Sequence, residues 1–313
     1  MPPGPGCFTA AMKNPAFPPT AYRGRFAPSP TGALHPGSLV AAFGSWLHAR
    51  HAGGQWLVRI EDVDLLREVP GAAGLQLQAL DAFGLRADGE ILRQADRDDA
   101  YRAALERLLA SGHAFVCHCS RADIVARGGV HRACVPGARR PDPAIRFRVA
   151  DGTTVAFVDA IQGPFEQQVD TEVGDFVLRR AEGFWAYQLA VVVDDAAQAI
   201  TDVVRGADLL GSTPRQILLQ RALGLPTPRY AHLPLVVDAE GRKLSKSSAA
   251  LPVDSADPLP PLRAAWAVLG QPPEAVASAS SVDIFLGASV DAFEPARIPR
   301  GPSVLPAEVA TSA

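Results

Sequence analysis

Three groups of residues in this chain have the types and spacing to do chemistry. The first runs Arg25-Phe-Ala-Pro-Ser-Pro-Thr-Gly-Ala-Leu-His35-Pro-Gly-Ser38. Here Pro and Gly lead from a strand end into a helix, so free backbone N–H groups and the positive end of the helix dipole face whatever lies beyond the strand. Gly37 lets a base or phosphate approach the backbone closely, which makes the segment an anion site. The plainer alternative is a Gly/Pro loop with a capping histidine.

The second group is Lys243-Leu-Ser-Lys-Ser247, just after the turn Asp238-Ala-Glu-Gly241. The chain writes arginine for nearly every cation: its only lysines are Lys13, Lys243 and Lys246. A primary amine on a flexible stem is a movable point charge suited to phosphates, and two of them among serine hydroxyls can follow charge as it develops. The third group is Cys117-His-Cys119 followed by His131-Arg-Ala-Cys134. Three thiolates and an imidazole can close a tetrahedral shell around zinc with no open position, so this site is expected to be structural. His118, between two of the thiolates, should then point outward. Three buried free thiols are the alternative.

These groups need elements to hold them. A strand is expected over 24–27, then a helix whose Leu39, Val40, Phe43, Trp46 and Leu47 share one face, closed by Gly53-Gly54. Trp56, Val58 and Ile60 alternate with Leu57, Arg59 and Glu61 in a second strand, and Tyr101, Leu105, Leu108 and Leu109 mark another helix. Strand alternating with helix implies a parallel sheet. From Phe115 the character changes to a cysteine-bearing, arginine-rich stretch with β-like runs at 144–149, 154–160 and 175–180. The α/β pattern then resumes with 187–193, 200–205, a helix opened by Ser212-Thr213-Pro214, and a strand-turn at 235–241. A helix is expected at 261–269, after which the sequence fades into Pro, Ala and Ser.

The resulting expectation is an α/β chain: a Rossmann-like parallel sheet split by an inserted zinc-binding and connective subdomain, with a short helical C-terminal region. Its divisions are a disordered extension over 1–21, the first half of the sheet domain over 22–114, the insert over 115–180, the second half over 181–250, and the C-terminal region over 251–313. Residues 1–21 lack a basic segment and an apolar core, so they are no secretory signal; translation from Met12 would spare every motif.

Composition narrows the possibilities further. With 48% hydrophobic and 20% charged residues the chain can bury a core, which excludes disorder of the whole. The apolar run 189–193 falls far short of the roughly 18 residues that span a bilayer, so no membrane partner is expected. Net charge is −3, so no global positive field advertises nucleic acid. Locally, however, Arg121, Arg127, Arg132, Arg139, Arg140, Arg146 and Arg148 outnumber Asp123 and Asp142 around the cysteines, a patch suited to a phosphate backbone. Cysteines clustered for metal rather than spread as a disulfide framework suit a reducing cytoplasm.

The pairing of His35-Pro-Gly-Ser38 with Lys243-Leu-Ser-Lys-Ser247 resembles the two signature sequences of class I aminoacyl-tRNA synthetases. Arg25-Phe-Ala-Pro-Ser-Pro-Thr-Gly32, Arg59-Ile-Glu-Asp62, Tyr187-Gln-Leu-Ala-Val-Val-Val-Asp-Asp195 and Val204-Arg-Gly-Ala-Asp-Leu209 look like its glutamyl branch. The resemblance covers roughly residues 22–250. The stretch 249–313 cannot hold the anticodon-binding region of a full tRNA-charging enzyme. With Arg67-Glu-Val-Pro-Gly71, that shortness points to the family of short glutamyl-queuosine tRNA(Asp) synthetases.

What the resemblance implies is specific. ATP would be bound by His35, Gly37, Ser38, Lys243, Ser245 and Lys246, with Mg²⁺ accompanying it, and His35, Lys243 and Lys246 would act in catalysis. Glutamate would lie against Phe26, Ala27, Pro28 and Ser29. Free glutamate needs cations for two carboxylates and an anion for its ammonium. Arg25 and Arg205 are the candidates for the former, the lean being Arg205 to the side chain; Glu61 would take the ammonium, and Tyr187 would donate to a carboxylate. Cys117, Cys119, His131 and Cys134 would hold one zinc, although the family has Tyr where this chain has His131. The acceptor would be the queuosine base of tRNA(Asp). Rival readings are a minimal enzyme charging a tRNA 3′ end, a nucleotidyltransferase acting on another small acid, and an inactive RNA-binding paralogue.

Overall fold

The computed structural model describes residues 21–64, 66–238, 240–242 and 252–305. Residues 1–20 of the extension expected over 1–21 and the motif Lys243-Leu-Ser-Lys-Ser247 lie outside them. The first half opens with β1 (Arg23–Phe26), α1 (Pro36–His51), β2 (Gln55–Ile60), α2 (Ala72–Ala82), β3 (Leu92–Arg93) and α3 (Asp98–Ala110). β1, β2 and β3 form one parallel ladder.

The insert follows: β4 (Ala114–Cys117), α4 (Arg121–Val125), β5 (Ala144–Phe147), β6 (Thr154–Asp159), β7 (Gly163–Gln168), α5 (Val169–Glu172) and β8 (Val177–Arg179). β4, β5 and β8 form an antiparallel sheet, and β6 pairs with β7 as a hairpin. β7 escaped the sequence reading because Gly163, Pro164 and three polar residues give it no apolar alternation.

The second half contains α6 (Tyr187–Ala197), β9 (Asp202–Gly206), α7 (Thr213–Leu223), β10 (Arg229–Leu233) and β11 (Val236–Val237). β9 and β10 run parallel, and Thr201 N donates to Arg23 O at 3.0 Å, so β9 starts beside β1. The two ladders thus meet at β1 and β9, where the strand order reverses direction. Open α/β sheets bind ligands beyond the carboxyl ends of the strands at such a switch point.

The C-terminal region is more than a tail. α8 (Leu259–Val268) coincides with the expected helix, but α9 (Val282–Ala292) follows, and β12 (Ser303–Val304) pairs in parallel with β11. Both helices close the core over α1: the Phe43 ring lies 6.4 Å from Trp266 and 6.0 Å from Phe285. The repeated Ala, Ser and Pro of this segment dilute its apolar period, so the second helix was hard to see before its partners were known.

The second core cluster, around α3, α6 and α7, contains an anomaly that fixes the register of its helices. Asp194, fully buried, accepts from Tyr101 Oη at 2.6 Å, Gln94 Nε2 at 2.9 Å and Arg97 Nε at 3.1 Å. Removing a carboxylate that satisfies two buried donors and the partly buried Arg97 costs several kcal/mol. Asp194→Ala should therefore lower stability by about 3 kcal/mol or more in urea unfolding; a loss below about 1 kcal/mol would show that this network does not anchor α6 to α3.

Candidate functional site

The loop after β1 and the start of α1 enclose a cavity of about 250 Å³ lined by Phe26, Ala27, Pro28, Ser29, His35, Gly37 and Ser38, the expected set, together with Thr31, Ala41, Gln76 and Asp208. His35 is the N-cap of α1: its Nδ1 accepts from Ser38 N at 3.3 Å, and Pro36 follows it in the first turn. Capping and facing an anion are compatible, because the capped helix end still directs its remaining N–H groups outward. Gln76 holds the loop from behind, its Nε2 donating to Ser29 O at 3.1 Å and to Gly32 O at 2.7 Å. Glu61 N donates to Pro28 O at 2.9 Å, so the loop is also tied to the end of β2. Beyond the undescribed segment 243–251, Val253 N donates to Leu34 O at 2.9 Å, next to His35.

At the ends of β1, β2 and β9 lies a buried charge cluster. Arg25 Nε is 3.1 Å from Asp195 Oδ1, and Arg59 Nη2 is 2.7 Å from the same oxygen. Glu61 Oε1 lies 3.5 Å from Arg59 Nη2, in charge contact only. That oxygen is buried without a hydrogen bond to any described residue. Burial raises the Glu61 carboxyl to about 7, even though Arg59 and Arg25 pull it down. Asp195 behaves oppositely: burial would raise it, but Arg25 and Arg59 together hold it below the usual carboxylate range. Arg205 Nη1 donates to Tyr187 Oη at 3.1 Å. Burial raises the Tyr187 phenol against the opposing charge of Arg205, with Glu61, Arg25 and Asp195 also acting on it. The four expected residues Arg25, Glu61, Tyr187 and Arg205 are thus in one electrostatic neighbourhood. Arg59 and Asp195, which bind the cluster together, had a signal in the sequence: each interrupts an apolar run whose neighbours are buried, and a charge there must find a partner.

A second candidate site lies in the insert. Cys117, Cys119, His131 and Cys134 place their ligand atoms within 4.8 Å of one another, a group that can hold a metal ion. Cys117 and Cys119 come from the end of β4, and His131 and Cys134 from the segment after the Gly128-Gly129 turn. His131 Nε2 is 3.4 Å from Cys117 Sγ, while its Nδ1 meets Asp175 Oδ2 at 2.9 Å. A carboxylate behind the imidazole fixes its orientation and makes it the better ligand. Cys3His is the donor set of closed zinc sites, so the residues fit that metal. His118 is exposed and faces Arg140 O at 2.8 Å, outside the cluster, as its position between two ligands requires.

The surrounding arginine patch is partly spent internally. Arg132 pairs with Asp151, Arg140 with Glu182 at 2.8 Å, and Arg146 donates to Asp175 O at 3.0 Å. Arg121, Arg127, Arg139 and Arg148 remain exposed.

Gly174 is where backbone meets the metal ligand. At φ +69° it sits in the left-handed region, and a Cβ there would lie 2.4 Å from His131 O. Purified protein should contain about one zinc per chain. Cys134→Ser should lose it, and Gly174→Ala, which removes no ligand, should weaken retention by displacing His131. Elemental analysis near zero on freshly isolated, unchelated protein would refute the site.

Comparison with known proteins agrees with this architecture. Residues 21–140 and 137–257 match the family described as tRNA synthetases class I (E and Q), catalytic domain. A protein of Xanthomonas campestris pv. campestris named glutamyl-Q tRNA(Asp) synthetase is 63% identical over 281 residues, spanning 89% of this chain and 94% of its own length. One of the same name from Chromobacterium violaceum is 51% identical over 294 residues, spanning 91% and 98%. Among solved structures, a glutamate tRNA ligase from Elizabethkingia meningosepticum in complex with its amino acid superposes with a TM-score of 0.76 at 28% identity, spanning 92% of this chain and 68% of that one. The chain therefore belongs to the class I tRNA synthetases of the E and Q type, ligase-type enzymes, on the branch whose members are named glutamyl-Q tRNA(Asp) synthetase.

Proposed function

We propose that this chain condenses L-glutamate with ATP to glutamyl-adenylate and pyrophosphate, then transfers the glutamyl group to queuosine in the anticodon of tRNA(Asp). The observation that carries the reading is Glu61: a buried carboxylate oxygen without a hydrogen-bond partner among the described residues, set among arginines. An ammonium group supplies the missing donors. Among these arginines, Arg25 and Arg205 would meet the two carboxylates of glutamate. The relatives' shared name supports the same amino acid and the same acceptor.

In the first step a glutamate carboxylate oxygen attacks the α-phosphorus of ATP, and the bond to pyrophosphate breaks in line. No protein nucleophile is needed; positioning and charge stabilisation do the work. His35, at the positive end of α1, contacts the phosphates beside Gly37 and Ser38, while Lys243, Ser245 and Lys246 complete the site, Lys246 meeting the charge that develops. The hydrogen bond from Val253 N to Leu34 O, next to His35, supports this reading. Mg²⁺ accompanying ATP would supply charge neutralisation for the pyrophosphate leaving group. In the second step a nucleophile of the queuosine base attacks the glutamyl carbonyl and AMP leaves. Cys117, Cys119, His131 and Cys134 would hold a zinc ion that stabilises the insert's fold and supplies no chemistry to either step.

The acceptor is tested by supplying ATP, labelled glutamate and tRNA(Asp) that carries or lacks queuosine, with the 3′-terminal adenosine removed from both. Label should appear only on the queuosine-containing RNA, in its anticodon-stem fragment. A requirement for the terminal adenosine would instead make this a minimal charging enzyme. Transfer should weaken steeply as salt rises, because the exposed arginines of the insert meet phosphates.

A further inference from the structure

Arg205 does not hold its position by itself. Its Nε donates to His232 Nε2 at 3.0 Å, and its Nη2 donates to Thr213 Oγ1 at 2.9 Å. On the far side of the ring, His232 Nδ1 lies 2.5 Å from Asp159 Oδ2. Both Asp159 and His232 have fully buried side chains. Asp159 is the last residue of β6, in the insert, whereas His232 is on β10 of the sheet domain. The contact is built, not incidental: Asp159 Oδ1 accepts from His232 N at 3.0 Å, Ile161 N at 3.0 Å and Gln162 N at 2.8 Å. Gln162 Nε2 in turn donates to His232 O at 2.7 Å.

These contacts assign the tautomer. An ionised Asp159 has only acceptors, so the ring proton belongs on Nδ1 and the lone pair on Nε2 faces Arg205. Burial lowers the proton affinity of His232, and the charge of Arg205 lowers it further against the pull of Asp159, so the ring is neutral. A neutral imidazole accepting from Nε fixes the guanidinium plane, with Nη1 at Tyr187 and Nη2 held by Thr213 Oγ1 and, at 3.4 Å, by Leu209 O. We propose that Asp159 and His232 are positioning residues for glutamate: through the imidazole, the inserted hairpin sets the orientation in which Arg205 meets a ligand carboxylate. This rests on the reading that glutamate is the amino acid activated.

Asp159→Asn provides the discriminating variant. Three backbone N–H groups require an oxygen at Oδ1, so the new amide presents its NH₂ to His232. That forces the ring proton onto Nε2, where it opposes the Arg205 N–H. In glutamate-dependent ATP–pyrophosphate exchange, Asp159→Asn should raise KM for glutamate by roughly tenfold or more, the size expected for losing a hydrogen bond to a charged group. KM for ATP and zinc content should stay unchanged. His232→Gln, which can still offer Arg205 a carbonyl oxygen, should keep KM for glutamate within about fivefold, while His232→Leu should match Asp159→Asn. An unaltered KM for glutamate in Asp159→Asn and His232→Leu would overturn the proposal. So would equal losses toward glutamate and ATP in all three variants, which is what mere structural damage gives. Absence of glutamate-dependent exchange in the unaltered protein would instead overturn the underlying functional reading, and the proposal with it.

Discussion

The sheet domain is organised around one carboxylate, Asp195, which draws two guanidinium groups into a place that would otherwise be apolar. Arg25 comes from β1, Arg59 from β2 and Asp195 from α6, so the ion pairs bind both strands of the first half to a helix of the second. Each charge alone would be costly to bury, and together they are tolerable only because each satisfies the others. The arrangement leaves Glu61 without enough partners. Its Oε1 has charge contact with Arg59 but no hydrogen bond from a described residue. A site that is nearly but not fully neutralised is prepared for a ligand that brings the missing groups, which is the physical sense of preorganisation.

The insert shares in that preorganisation. Its cysteine–histidine cluster, able to hold a metal ion, and its hairpin are separate pieces of one excursion between α3 and α6. The first depends on Asp175 behind His131, the second on Asp159 behind His232. In both places an aspartate fixes an imidazole and thereby a group beyond it, a cysteine cluster in one case and a guanidinium in the other. The stretch that interrupts the sheet is thus tied by hydrogen bonds to the arginine at the end of β9.

Much of this was legible in the sequence because the informative residues break a local rule. The Gly/Pro loop before His35 marks a strand-to-helix turn, and Cys117, Cys119, His131 and Cys134 have ligand spacing that a core would not need. The charged ends Glu61 and Arg205 sit where apolar strands stop. Other parts depended on distant partners and left little trace. His232 lies in no strand that the sequence reading marks, and Asp159 reads as part of a β run; only the fold brings them together across 73 positions. Gln76, on a helix far from the motif it supports, carries no local signal at all. α9 and β12 likewise make sense only against α1 and β11.

The central claim is that Glu61 waits, partly protonated, for the ammonium of glutamate. The claim has a sign. With its carboxyl raised to about 7, Glu61 must lose its proton before the ammonium pairs with it, so binding releases protons near neutrality and affinity falls as pH drops below that value. Calorimetric titration of the enzyme with glutamate at pH 7, in two buffers of different ionisation enthalpy, should give release of about half a proton per ligand, fading by about pH 8.5 and vanishing in Glu61→Gln. Binding without proton release at pH 7, or the same release in Glu61→Gln, would contradict the account.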